Sequence, residues 1–89
     1  MNEGTYLRAV QHLSHVYELV RTSNFAGVEN VLLAMNFQSI ETEILEAYLR
    51  ALYPLRKQLP NYGWFRGQAK LEMERRKIDC YNLFEELKL

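Results

Sequence analysis

Apolar residues recur along most of the chain at three- and four-residue steps, the period at which side chains share one face of an α-helix. From Thr5 to Arg21 that face is Tyr6, Val10, Leu13, Val16, Tyr17 and Val20, which predicts a first helix over residues 5–21. Thr22, Ser23 and Asn24 follow as capping side chains. Phe25, Val28, Leu32 and Met35 then mark a shorter helix over 24–35. Ser39 is the expected N-cap of a third helix over 40–53, with Glu41 and Glu43 in the first turn, where the helix dipole favours negative charge. Ile40, Ile44, Leu45, Tyr48, Leu49 and Leu52 cover a wide arc of that helix, so it should be the most enclosed. Pro54 has no N–H to give and ends or kinks it near Tyr53, with room for one more turn to Leu59. Pro60-Asn61-Tyr62-Gly63 is the strongest turn signal, and a last helix is predicted over 62–87. Neither strand-like alternation nor a fixed-period repeat is present. The pattern therefore specifies an all-α fold, a compact bundle of four helices in a single domain over residues 1–89.

The last helix departs from simple one-sidedness. At 100° per residue, Phe65, Ala69, Met73, Cys80, Leu83, Phe84 and Leu87 fall within one arc and form the natural core face. Trp64, Leu71 and Ile78 fall on the opposite side, seven residues apart, with Gly67 and Arg75 on the same flank. A chain of 89 residues has little apolar surface to leave outside its core, so this second seam needs a reason. Two readings fit. The helix is central, sandwiched between the first and third helices so that both seams are core, or the second seam meets another chain, since seven-residue spacing suits helices crossing at a shallow angle.

Composition changes the picture only slightly. Hydrophobic residues at 48% and charged residues at 25% are ordinary for a globular domain and too apolar for a disordered one. The start of the chain lacks a basic segment leading into an apolar block, and no apolar run approaches the length of a membrane span. A cytoplasmic, non-membrane protein is the expectation. Net charge is zero, yet its distribution is uneven. Residues 1–53 carry six glutamates against three arginines, and residues 54–89 carry eight basic side chains against five acidic ones, a balance of −3 against +3. Within the charged stretch from Lys70 to Asp79, Glu72 and Arg76 lie four apart and Glu74 and Lys77 three apart. A solvated face that pairs with itself is expected there.

Candidate chemistry is sparse. His12 and His15 are three apart on the first helix, but no third ligand stands near them, so no metal site is expected. Glu41 and Glu43 point away from one another on a helix. Gly63 and Gly67 lack the Lys-Ser/Thr ending of a phosphate loop. The single Cys80 sits on the core face, where it reads as a small buried apolar residue. No nucleophile, base and orienting group can be assembled, so neither catalysis nor a cofactor is expected. A helix-turn-helix across the second and third helices would present Glu41 and Glu43 to phosphates, and repulsion rules it out.

What remains is binding. Between Pro54 and Lys77 seven basic residues face two acidic ones and are interleaved with Tyr62, Trp64 and Phe65. Tyr, Trp and Arg are the residue types that dominate protein interfaces. The sequence thus points to a small non-enzymatic protein-binding module, a regulator, adaptor or inhibitor of a larger assembly. Its candidate partner-binding residues are Tyr62, Trp64, Arg66, Lys70, Leu71, Arg75 and Ile78. The partner is expected to be a protein with an acidic surface, or a second copy forming a homodimer. The alternative is a nucleic-acid-associated protein in which residues 54–77 supply phosphate contacts and stacking rings.

Overall fold

Asn24 begins the second helix as its residue type suggests, since its side-chain oxygen accepts the Gly27 N–H at 2.9 Å, which satisfies one of the donors a helix N-terminus leaves open. The element that results, α2 (Phe25–Leu33), follows α1 (Glu3–Arg21) and precedes α3 (Thr42–Leu52), α4 (Tyr62–Arg75) and α5 (Tyr81–Glu86). A 3-10 turn over Tyr53–Leu55 carries Pro54 between α3 and α4. This computed structural model describes residues 3–88, with side chains at Leu7 and from Gln11 onward. Tyr6 and Val10, placed by the pattern on the apolar face of α1, lie outside the described side chains. The fold is the expected all-α bundle.

The core is built around α3. Ile44, Leu45, Tyr48, Leu49 and Leu52 are all buried, and the helix packs on α1 and on α4. Val16 is the fully buried residue of α1, with Leu13, Leu19 and Val20 partly buried beside it. Tyr17 leaves the face assigned to it and is 53% exposed, because the centre of the buried arc lies between Val16 and Val20. Val28 and Leu32 of α2, Leu59, and Tyr62, Phe65, Ala69 and Met73 of α4 complete the interior with Cys80, Phe84 and Leu87. The radius of gyration, 12.6 Å, matches the roughly 12 Å of a compact chain of this length.

Two boundaries differ from the pattern. Ser39 does not cap α3. Asn36 organises residues 36–40 instead, its backbone oxygen accepting the N–H groups of Ser39 at 3.2 Å and Ile40 at 3.1 Å. The helix starts two residues later, behind Glu41 in an extended conformation. The larger difference lies in the last helix, which is two helices. α4 stops at Arg75, and Lys77 adopts a left-handed φ of 60°. Its N–H donates to the Glu74 carbonyl at 2.9 Å, and the Ile78 N–H reaches back to Met73 at 3.0 Å. These are the two bonds with which a left-handed residue closes a helix end. The residue is a lysine where glycine is usual, a strain of about 1 kcal/mol that the satisfied carbonyls offset. α1 ends in the same way at Ser23, φ 58°, with Asn24 N–H on Leu19 at 2.8 Å. The break after α4 turns the chain so that α5 lays Phe84 and Leu87 on the core.

Candidate partner-binding face on the fourth helix

α4 packs on α2 and α3, so it is a side wall of the bundle and not a central helix between α1 and α3. Its inner face is Tyr62, Phe65, Ala69, Glu72 and Met73. Its N-terminus is fixed by Glu29 of α2, whose two carboxylate oxygens each accept the Asn61 N–H at 3.2 Å. A carboxylate suits that end of the helix dipole. With the inner face and both ends fixed, the outer face is presented at a set angle.

On that outer face Trp64 is 43% exposed and Leu71 62% exposed. Phe37, from the loop between α2 and α3, leans on the Trp64 ring edge to face, with centroids 5.8 Å apart, and reaches Phe65 at 5.6 Å. A shallow groove runs beside them, lined by Met35, Asn36, Gln38, Gln68 and Leu71. Ile78 is not in the seam. The chain leaves helical geometry before reaching it, and its side chain packs against the core. The seven-residue spacing on one continuous helix therefore reduces to Trp64 and Leu71, joined by Phe37, which the sequence reading missed. Nothing in the periodicity marks Phe37, because a loop delivers it.

The remaining candidates divide. Tyr62 is buried in the core, where its hydroxyl donates to the Leu49 carbonyl at 2.6 Å, and burial pushes its phenol up to about 12. Arg66 turns inward: Nε donates to the Leu87 carbonyl at 2.8 Å and Nη2 to Phe84 at 3.0 Å, which closes the C-terminal end of α5. Lys70 is exposed beside Leu71. Arg75 lies on the surface, hydrogen-bonded to Glu72 through Nε at 3.1 Å. The structure thus groups Trp64, Lys70, Leu71 and Arg75 on the outside of α4 and places Tyr62, Arg66 and Ile78 elsewhere.

The charged run after Lys70 is not simply a solvated face. Glu72 is only 6% exposed and receives both Arg75 and Arg76, the latter with Nε 2.9 Å from its oxygen. Hydrogen bonding from Arg75 is the main reason its carboxyl titrates below the usual range, with burial opposing and Arg76 assisting. Arg76 extends further. Its guanidinium donates to the backbone carbonyls of Phe37 at 2.9 Å and Ile40 at 2.7 Å and to the Thr42 hydroxyl at 2.9 Å. This one side chain ties the loop carrying Phe37 to the end of α4, and so holds Phe37 against Trp64. The expected Glu72–Arg76 pair is present, while the side chain of Lys77, a residue drawn into the helix-ending turn, makes no hydrogen bond or ion pair among the described residues.

A second concavity, of about 500 Å³, lies between α1, α2 and α3 and is lined by His12, Val31, Met35, Ile40, Glu41 and Tyr48 among others. The Tyr48 hydroxyl stands 3.4 Å from His12 Nδ1. His12 and His15 are both exposed, and among the described residues no three His, Cys, Asp or Glu side chains are grouped to hold a metal. Nor is any described helix long and apolar enough to cross a membrane. Comparison with protein-family models, curated proteins and solved structures finds no match for this chain.

Proposed function

We propose that this chain is a non-enzymatic protein-binding module, one that regulates, adapts or inhibits a larger protein assembly, and that its partner docks on the outer face of α4. The observation that carries the reading is the exposure of Trp64 and Leu71 on a helix whose other side is fully engaged. Two large apolar side chains on one face, with Phe37 beside them, would each stabilise a complex by roughly 1.5 to 3 kcal/mol if buried, before the costs of association. Lys57, Lys70 and Lys77 are exposed and unpaired among the described residues, and they favour a partner with an acidic rim. Self-association through α4 is one form such binding takes. The non-catalytic part of the reading is supported by the placement of the reactive groups: the one thiol, Cys80, is buried, and Glu72 is held between two guanidinium groups.

The nucleic-acid alternative has less support than the charge pattern alone suggests. Of the seven basic side chains in residues 54–77, Arg66 and Arg76 donate to backbone carbonyls, Arg75 is paired with Glu72, and Arg56 lies over the Tyr53 ring at 4.0 Å. Only the three lysines project without such partners.

Affinity capture with the wild-type chain, Trp64→Ala and Leu71→Glu tests the reading. Proteins held by the wild type should be lost from both variants while their helical circular dichroism and melting temperatures stay close to wild type. Equal recovery by all three counts against the α4 face. Salt separates the classes, because an apolar contact changes little between low and physiological salt whereas phosphate binding weakens steeply. Tight, salt-sensitive binding of DNA or RNA would replace this reading with the nucleic-acid one.

A further inference from the structure

Tyr48 of α3 carries a polar atom into the core. The residue is 1% exposed, and Phe65 meets its ring edge to face with centroids 6.4 Å apart. Its hydroxyl makes one hydrogen bond among the described residues, with His12 Nδ1 at 3.4 Å. A well-formed hydroxyl bond is about 2.8 Å long. Burial pushes the phenol up, so it keeps its proton and has a hydrogen to give. A buried hydroxyl held this loosely costs the fold stability unless something else completes it.

The space beside it is the concavity of about 500 Å³ between α1, α2 and α3, which both His12 and Tyr48 line. That volume suits a small molecule. Val31, Met35, Ile40 and Ile44 give it apolar walls, and the Met35 thioether favours contact with a flat ring. A second hollow, of about 290 Å³, shares His12, Val31 and Tyr48 with the first, so open space borders the long bond. Water entering there would complete the hydroxyl and the imidazole but leave the apolar walls wet. A ring bearing a hydroxyl does both. Its oxygen accepts from Tyr48 and donates to Nδ1, which is an acceptor when the imidazole proton is on Nε2, while its ring covers the walls. Charge narrows the head group further. An anion would meet the Glu41 carboxylate in the same cavity, and Glu41 is already engaged, so it does not ask for a cation.

We propose that this cavity binds a small neutral phenol or aromatic alcohol, its hydroxyl seated between Tyr48 and His12 and its ring against Val31, Met35, Ile40 and Ile44. Trp64 and Leu71 do not line the cavity, and the inference does not rest on the protein-binding reading of α4.

Titration of the isotope-labelled full chain with phenol, benzene and benzoate, followed by NMR shifts of amide and methyl groups, tests the site. Phenol should saturate the shifts of the lining residues with a Kd on the order of a millimolar, and benzoate should leave them unmoved. Saturation by benzoate as readily as by phenol overturns the neutral head. Tyr48→Phe removes the donor, and His12→Leu removes the acceptor. Each should lower the preference for phenol over benzene, read as the ratio of the two Kd values, by about fivefold relative to wild type. A ratio unchanged in both overturns the seat given to the hydroxyl. Ala34 is exposed and lines this cavity but not the smaller hollow, so Ala34→Phe fills the site without entering the core. It should abolish the phenol shifts at Val31, Ile40 and Ile44. Their persistence in a folded Ala34→Phe, or their absence from wild type at roughly ten millimolar phenol, overturns the site. His12 is exposed as well, so the variants at His12 and Ala34 decide the matter even where Tyr48→Phe fails to fold.

Discussion

α3 and the α4–α5 layer are fastened to the same core by different chemistry. α3 is held by apolar contact, with five buried side chains on an eleven-residue helix. α5, six residues long with Phe84 as its buried residue, is held largely by side chains from elsewhere that reach its end and its flank. Arg66 donates to two of its carbonyls, Arg50 of α3 pairs with Glu86 at 2.7 Å, and the Tyr53 hydroxyl donates to Lys88. Arg76 does the same for the loop between α2 and α3. Apolar fastening is non-directional and follows volume. A guanidinium meeting several carbonyls at once depends on fork geometry that no other side chain reproduces. The first region should therefore tolerate a change of shape and resist loss of size, and the second should do the reverse.

The largest effect is expected in α3. Leu49 is fully buried, and Leu49→Ala should lower unfolding free energy by about 3 kcal/mol in urea denaturation, as loss of transfer energy and the cavity add together. Leu49→Met should cost less than about 1.5 kcal/mol. A methionine variant as unstable as the alanine one would break the comparison on the apolar side.

At Arg76 the ranking should be different. Arg76→Ala removes donors from three carbonyls, a hydroxyl and a buried carboxylate, and about 2 kcal/mol is the expected loss. Arg76→Lys should recover little of it, since a single ammonium cannot span those acceptors. Both variants should shift Trp64 fluorescence, because the loop that holds Phe37 is released. Glu72 supplies the pH dependence. Its folded value lies below the ordinary 4.5, so its contribution is present above 4.5 and disappears as pH falls through the folded value. Glu72→Gln should flatten that acid limb. An unchanged limb would mean that other carboxylates govern it.

The same division decides what could be read from the sequence. Apolar periodicity located α3, α2 and the inner face of α4 to within a turn, and it named every buried residue of α4 except Tyr62 and Glu72 as core. It failed at Lys77, because Met73 and Cys80 are seven apart and the helical period continues straight through the break, with neither glycine nor proline to mark it. An unbroken period places Ile78 on the outer seam for that reason. The roles of Arg66 and Arg76 were hidden for another. A basic residue reads as a charge directed at solvent, and only the folded backbone reveals that five carbonyls lie within reach of two guanidinium groups. The basic stretch from residue 54 to 77 thus resembled a binding surface more than it is one. Of the candidate site, Trp64 and Leu71 were legible as apolar residues off the core face, while Phe37 comes to them through the loop that Arg76 holds.

Tyr62 joins the two kinds of fastening in one side chain, and the smallest expected effect at neutral pH belongs to it. Its ring packs near Phe65 and Tyr53, with centroids 6.4 and 6.2 Å away, and its hydroxyl donates to Leu49 of α3. Tyr62→Phe keeps the ring and loses the bond, so a cost of about 1 kcal/mol is expected at pH 7. Alkaline pH should invert the order. The phenol is raised from 10.0 to about 12 by burial, so folding favours its neutral form. That contribution is complete below pH 10 and is lost as pH rises through 12. Tyr48, also raised by burial, adds to the same limb in both proteins. Wild type should then lose stability more steeply than Tyr62→Phe above pH 10, and their melting temperatures should converge or cross before pH 12. Parallel curves across that window would show that the Tyr62 hydroxyl already meets solvent, and that α3 and α4 are joined there by ring packing alone.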